Sequence, residues 1–267
     1  MNQTLDTMLE SLNLLAIRDV YQEVSTRIIK EQMSPIDYLQ ELVNIELDQR
    51  YQKSVMHLLK IAKLPRNKLL RDFDITRIPT LHPGLLKNLS EGDFIDRSEN
   101  LLIFGNPGTG KSHLSIALAR EWCLRGRKCL YITAASLVQE LLAAKNKLNL
   151  NQIIKRLDKF EVLIIDDISY IPYERSESEV LFVLLAERYE QRSLAITSNL
   201  VFSKWQQIFQ DEMATNAAID RLVHHSTILE LNTESYRIKT AKENQENTSC
   251  GVVKKLEKKS DKKEGKM

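Results

Sequence analysis

Long apolar runs are missing from this chain of 267 residues. No stretch approaches the roughly 18 residues that cross a bilayer, which argues against a membrane-spanning helix. The opening residues, Met1-Asn2-Gln3-Thr4-Leu5-Asp6, lack a basic region followed by an apolar one, so no signal peptide is expected. Cysteine is nearly absent: Cys123, Cys129 and Cys250 are odd in number and lack metal-ligand spacing. They argue against a disulfide scaffold and fit reduced thiols in a cytoplasm. An excess of one charge is also lacking, since a net charge of +2 is too small to declare a nucleic-acid partner by itself. Aromatic residues make up only 6%, while 43% hydrophobic and 28% charged content is ordinary for a globular protein. The length accommodates one α/β domain and a smaller element, and no internal repeat is found.

Glycine is scarce too, yet three of the eight fall within six residues, at Gly105, Gly108 and Gly110, with Lys111-Ser112 following at once. Gly105-Asn106-Pro107-Gly108-Thr109-Gly110-Lys111-Ser112 is a complete G-x-x-x-x-G-K-[ST] phosphate loop. Without Cβ atoms the glycines let backbone N–H groups converge on anionic oxygens. Lys111 is expected to neutralise the β- and γ-phosphates of a nucleoside triphosphate such as ATP, and the Ser112 hydroxyl to hold Mg²⁺. Leu101-Leu102-Ile103-Phe104 before the loop reads as a buried strand. Ser112 to Arg120 behind it reads as a helix, whose positive N-terminal end faces the same site.

The region to about residue 75 reads as helical. Leu5, Met8, Leu9, Leu12 and Leu15 recur at three- and four-residue spacing. A second helix begins with Ser34 as cap, Pro35 at the first position and Asp37 as a box-like partner, and Leu39, Leu42, Val43 and Leu47 continue its apolar face. Pro65 ends that pattern; Ile78-Pro79 and His82-Pro83-Gly84 suggest a linker over 76–99. From 100 to 240 strand and helix alternate, with strands at 101–104, 128–133, 162–165, 194–197 and 226–231. Such alternation predicts an α/β fold with a parallel sheet covered by helices on both faces. The tail, 241–267, is Lys-rich and nearly without apolar content, which predicts disorder. Charge is unevenly spread: residues 1–49 carry nine acidic side chains against three basic ones. Arg50, Lys53, Lys60, Lys63, Arg66, Lys68 and Arg71 then follow with no acid among them, a candidate double-stranded DNA contact whose alternative is a solvated helix face.

Val162-Leu163-Ile164-Ile165 is an apolar strand ending in Asp166-Asp167, and a parallel sheet presents such ends to the ligand crevice. Asp166 is placed to hold Mg²⁺ through its water shell and Asp167 to orient or deprotonate the attacking water. Thr197-Ser198-Asn199 closes another strand; Asn199 either contacts the γ-phosphate or water, or caps the next helix. One strand lying between the phosphate-loop strand and the Asp-Asp strand fits ATPases that hydrolyse by positioning water. Arg221, beside Asp220 on a short helix before the last strand, is a candidate arginine finger acting across subunits. His224-His225 lacks a third ligand at metal spacing, and His113 reads as packing.

Six blocks carry a family resemblance: Gly105 to His113, Leu163 to Tyr170, Leu181 to Glu190, Ile196 to Phe202, Asp220 to His225 and Glu234 to Arg237. In this order and spacing the chain resembles the IstB family, AAA+ ATP-binding helpers of insertion-sequence transposition related to the DnaC helicase loader and the DnaA initiator. The likeness covers about residues 5 to 240. It implies a small helical N-terminal domain before an AAA+ P-loop ATPase that forms a homo-oligomer with ATP, binds DNA and assists a separate transposase. It further implies Asp166 as the Walker B metal ligand, Asp167 at the catalytic acidic position, Asn199 as sensor 1, Arg221 as the finger and Arg237 as a sensor-2-like or oligomer contact. Many AAA+ proteins carry Glu where this chain has Asp167, one methylene shorter, which suits slow, switch-like hydrolysis. Two other readings keep the same core. In a helicase loader, the acidic N-terminal helices grip a replicative helicase; in a nucleotide-dependent scaffold, ATP is bound without appreciable turnover.

Overall fold

The structure, a computed structural model, describes residues 3–32, 34–169, 173–206, 212–233 and 235. It divides into two compact units, Met1–Lys60 and Ile61–Met267.

The first unit is helical: α1 (Gln3–Ser11), α2 (Leu15–Glu31) and α3 (Pro35–Ile61), whose last residue enters the second unit. The start of α3 is the reciprocal cap expected from its sequence. Asp37 N–H donates to Ser34 Oγ at 3.2 Å, and Ser34 N–H donates to Asp37 Oδ2 at 3.1 Å. Val24 and Ile28 of α2 bury against Leu42 of α3, with Ile17, Tyr21, Tyr38 and Ile45 packed around them. The expected wider face of α3 is not formed, because Leu39, Val43 and Leu47 are exposed. In this small unit α2 covers only the stripe of α3 that holds Leu42, Ile45 and Glu46. Glu46 is buried, and its carboxylate accepts the first N–H groups of α2, from Ala16 at 2.9 Å and Ile17 at 3.3 Å. Arg50 donates to Glu46 at 2.8 Å and to the Asn13 carbonyl at 2.8 Å.

The second unit holds a five-stranded sheet: β1 (Asn100–Gly105), β2 (Cys129–Thr133), β3 (Val162–Asp166), β4 (Ser193–Ser198) and β5 (Ser226–Leu231). All neighbours are parallel and the order is β2-β3-β4-β1-β5, so β4 lies between the phosphate-loop strand and the Asp-Asp strand. Leu102, Phe104, Leu163, Ile165, Leu194 and Ile196 share one core with α7 (Ala134–Asn146), α8 (Leu150–Leu157), α9 (Arg175–Arg188) and α10 (Glu212–His224). The alternate residues Leu101, Ile103, Val162 and Ile164 are equally buried, and α6 (Lys111–Leu124) packs across β1 to β4. Covering both faces explains why these strands read as continuous apolar runs. Arg188, with no exposed surface, ends α9 by donating to the carbonyls of Leu157 (3.1 Å), Phe160 (3.1 Å) and Ser193 (3.0 Å). Burial pushes its guanidinium down to about 10, still cationic at neutral pH.

The expected linker over 76–99 is instead structured. Pro83-Gly84 opens α4 (Pro83–Glu91), since proline suits a first helical turn, and α5 (Asp93–Asp96) follows. Buried Trp122 of α6 donates its indole N–H to the Leu89 carbonyl of α4 at 2.7 Å. The unit also begins at Ile61, before the expected boundary at 75, and includes 3₁₀ turns at Leu70–Asp72 and Ile75–Arg77. Among the described residues no helix is long and apolar enough to cross a membrane. The Lys-rich tail lies outside the described residues.

Candidate functional site

β1 ends at Gly105 and α6 starts at Lys111, so the loop between them presents its N–H groups at a helix N-terminus. Gly108 and Gly110 have φ of +84° and +100°, a region that side chains other than glycine's rarely adopt. A Cβ at Gly108 would also stand 2.1 Å from the Ser235 hydroxyl. The Lys111 ammonium curls into the loop, donating to the carbonyls of Gly105 at 2.7 Å and Asn106 at 2.9 Å. Thr109 closes the turn on the Asn106 carbonyl at 2.9 Å. A pocket of about 560 Å³ opens over Pro107, Gly108, Thr109, Gly110, Lys111 and Ser112, and Asp167, Thr197 and Asn199 line its other side.

The acidic side is built at three adjacent strand ends. Asp166 is buried; its Oδ1 accepts from Thr197 Oγ1 of β4 at 2.7 Å and its Oδ2 from the Tyr131 hydroxyl of β2 at 2.7 Å. Thr197 Oγ1 in turn accepts the Asp167 N–H at 2.8 Å. Asp167 leaves the sheet with φ of +60°, and its carboxylate accepts from the Asn199 amide at 2.8 Å. Burial, and then the charge of Asp166, push Asp167 above the usual carboxylate range, against the opposite pull of Lys111 and Ser169. The capping alternative for Asn199 falls away. Its side chain faces Asp167, and the next turn, Phe202–Lys204, starts without a side-chain cap.

A third wall of the pocket was not anticipated. Lys68, Asp72, Phe73, Asp74, Arg77 and Ile78, from the segment ahead of α4, line it. Phe73 lies against Gly110, where an added Cβ would be 3.1 Å from its ring, and meets His113 edge-on at 5.6 Å. His113 Nε2 pairs with the Leu69 carbonyl at 3.0 Å, so this histidine packs the segment onto α6. The sequence signal was faint: one aromatic residue between two short polar turns.

The remaining expected residues are dispersed. Lys68, expected on DNA, belongs to this pocket wall, and Arg50 is committed to Glu46 and Asn13 because it closes the start of α2. Lys53, Lys60, Lys63, Arg66 and Arg71 are exposed; Lys53 donates to Gln49 and Arg71 lies 3.8 Å from Asp72. Arg221, on the last turn of α10, does not line the pocket and stacks over the Phe182 ring at 5.1 Å. Arg237 lies outside the described residues. The fold brings a carboxylate, Glu190, to His224-His225, with donor atoms within 4.8 Å of one another. All three are exposed, and the contacts among them are an imidazole–carboxylate approach of 3.7 Å between His225 and Glu190 and a tilted pair of imidazoles with centroids 4.0 Å apart.

A glycine loop on a helix N-terminus, a lysine within it and the Asp167 carboxylate across a pocket, with Asp166 buried beside it, can hold a polyphosphate and position water against it. Comparison with known proteins agrees. The family model for IstB-like ATP binding proteins matches residues 7–244. A Sinorhizobium fredii protein named as an insertion sequence ATP-binding protein is 37% identical over 240 residues, covering 90% of this chain and 80% of its own. Its counterpart named for insertion sequence IS21 in Pseudomonas aeruginosa is 34% identical over 235 residues, covering 88% and 89%. Among solved structures, AMPPCP-bound DnaA from Aquifex aeolicus superposes with a TM-score of 0.53 at 20% identity, covering 69% of this chain and 56% of that one. DnaI gives 0.51 at 21%, covering 65% and 94%. These likenesses support an AAA+ fold, and the match across nearly the whole sequence decides the family: this chain belongs to the IstB-like ATP-binding proteins.

Proposed function

We propose that this chain binds ATP with Mg²⁺, hydrolyses it slowly to ADP and phosphate, and in its ATP form assembles as a homo-oligomer on double-stranded DNA. There it assists the transposase of the same element in a cytoplasmic setting. The observation that carries the ATPase reading is the convergence of Lys111, Asp167 and Asn199 on one pocket. Lys111 exchanges its loop carbonyls for phosphate oxygens. Asp167, more basic than an ordinary carboxylate, accepts a proton from the attacking water, and Asn199 holds it in place. Ser112 in the loop and Asp166 at the end of β3 offer the hard oxygen donors that suit Mg²⁺, which when bound would neutralise phosphate charge. Arg221, which does not line its own chain's pocket, suits a role in a neighbour's.

The family's link to insertion sequences supports the transposition role, and exposed Lys60, Lys63 and Arg66 supply sequence-independent phosphate attraction. Fluorescence anisotropy of labelled duplex and single-stranded DNA, with ATP, with ADP and with Lys111→Ala, tests it. Duplex binding should require ATP and be lost in the variant. Charge reversal at Lys60, Lys63 and Arg66 should weaken binding and flatten its salt dependence. A single-strand preference would instead favour a helicase loader. Equal, near-zero turnover in wild type and Asp167→Asn would leave a scaffold.

A further inference from the structure

Asp166 is the most tightly held carboxylate of the site, gripped by hydroxyls from both flanking strands. Thr197 is its neighbour on β4, one step beyond the Ile165–Ile196 pair. Tyr131 is not its register partner on β2; that place belongs to Thr133. Tyr131 stands two residues earlier on the same sheet face, a diagonal position that only a long side chain can bridge. Its phenol does so and donates to Asp166 Oδ2 at 2.7 Å. Thr197 alone would fix one oxygen and leave the carboxylate free to rotate about its Cβ–Cγ bond. The two hydroxyls together fix the plane and leave the remaining lone pairs as the outward-facing ones. Tyr131 does not line the pocket. Burial and the adjacent Asp166 raise its phenol above the ordinary value, so it stays protonated and remains a donor.

We infer that Tyr131 is a positioning residue for metal-coupled nucleotide binding, its hydroxyl setting the Asp166 carboxylate from the β2 side so that Asp166 meets the water shell of Mg²⁺. This rests on the reading that the pocket takes ATP with Mg²⁺ and that Asp166 serves the metal. Outer hydroxyls of this kind typically control metal affinity by about 10-fold or more.

The test is Tyr131→Phe, which removes one oxygen and keeps the ring. Binding of a fluorescent ATP analogue to the full chain is measured first in EDTA and then across a Mg²⁺ titration. Affinity in EDTA should match wild type, because Lys111 and the loop are untouched, while the Mg²⁺ midpoint should rise about 10-fold. Asp166→Asn and the double variant complete a cycle. Once Asp166 no longer carries its charge, Tyr131→Phe should shift the midpoint no further. An unchanged midpoint in Tyr131→Phe overturns the inference and leaves the ATP reading standing. So does an equal shift in the Asp166→Asn background, or a matching loss in EDTA, since each would show a general packing lesion. Absence of nucleotide binding in wild type under every condition would overturn the ATP reading and this inference with it.

Discussion

Replacing Thr197 with valine preserves shape and deletes the one oxygen that joins the two acidic residues. Thr197 is only 1% exposed although it borders the pocket, so water replaces what is lost poorly. Its hydroxyl donates to the Asp166 carboxylate at 2.7 Å, and a hydrogen bond to a charged group contributes about 1.5–3 kcal/mol. It also accepts the Asp167 N–H at 2.8 Å, and orphaning that group adds about 1 kcal/mol. The buried methyl of valine returns about 0.8 kcal/mol. The net loss is about 2–3 kcal/mol, within the roughly 5–15 kcal/mol that folded domains hold, so the protein should still fold. Trp122 and Trp205, the chain's two tryptophans, are buried in the second unit, and their fluorescence in a urea titration reports that unit alone. Turnover should fall about 10-fold or more as Asp167 leaves its left-handed backbone setting, while ATP affinity in EDTA stays within about 3-fold. Thr197→Ser keeps the oxygen and should recover most of both losses. If valine and serine variants behave alike, or if valine shifts stability by less than about 0.5 kcal/mol with normal turnover, the bridging role is wrong.

Two further outcomes follow from the same geometry. Because Asp167 titrates above its unfolded value, the folded state binds more protons between the two values, and ionisation removes stability as pH rises through that window. Asp167→Asn should therefore melt higher than wild type at neutral pH, with the gap closing as pH falls through the ordinary carboxylate value of about 4. A gap independent of pH would contradict this. Phe73→Ala should weaken nucleotide binding about 10-fold, or about 1.4 kcal/mol, without moving the Mg²⁺ midpoint, because Phe73 braces the loop at Gly110 and packs on His113. An equal change in the Mg²⁺ midpoint would show that the segment acts on the whole site.

What the sequence determined by itself is local or periodic. The phosphate loop is legible because three glycines, a lysine and a serine act within one turn of chain. The strands are legible because burial on both faces leaves no polar residue in Val162 to Ile165. The Ser34–Asp37 cap is legible because its partners are three residues apart. The Pro83-Gly84 pair misled, because the same proline that suits a linker also suits the first turn of α4. Lys68 read as one basic residue in a run, yet it lines the pocket, while Arg66 and Arg71 of the same run are exposed. Only the tertiary structure decided that, and only it placed Phe73 on the loop, Asn199 on Asp167 and Tyr131 on Asp166. Each of these contacts joins residues 30 or more positions apart, where strand register and side-chain reach choose the partner and no spacing along the chain records the choice.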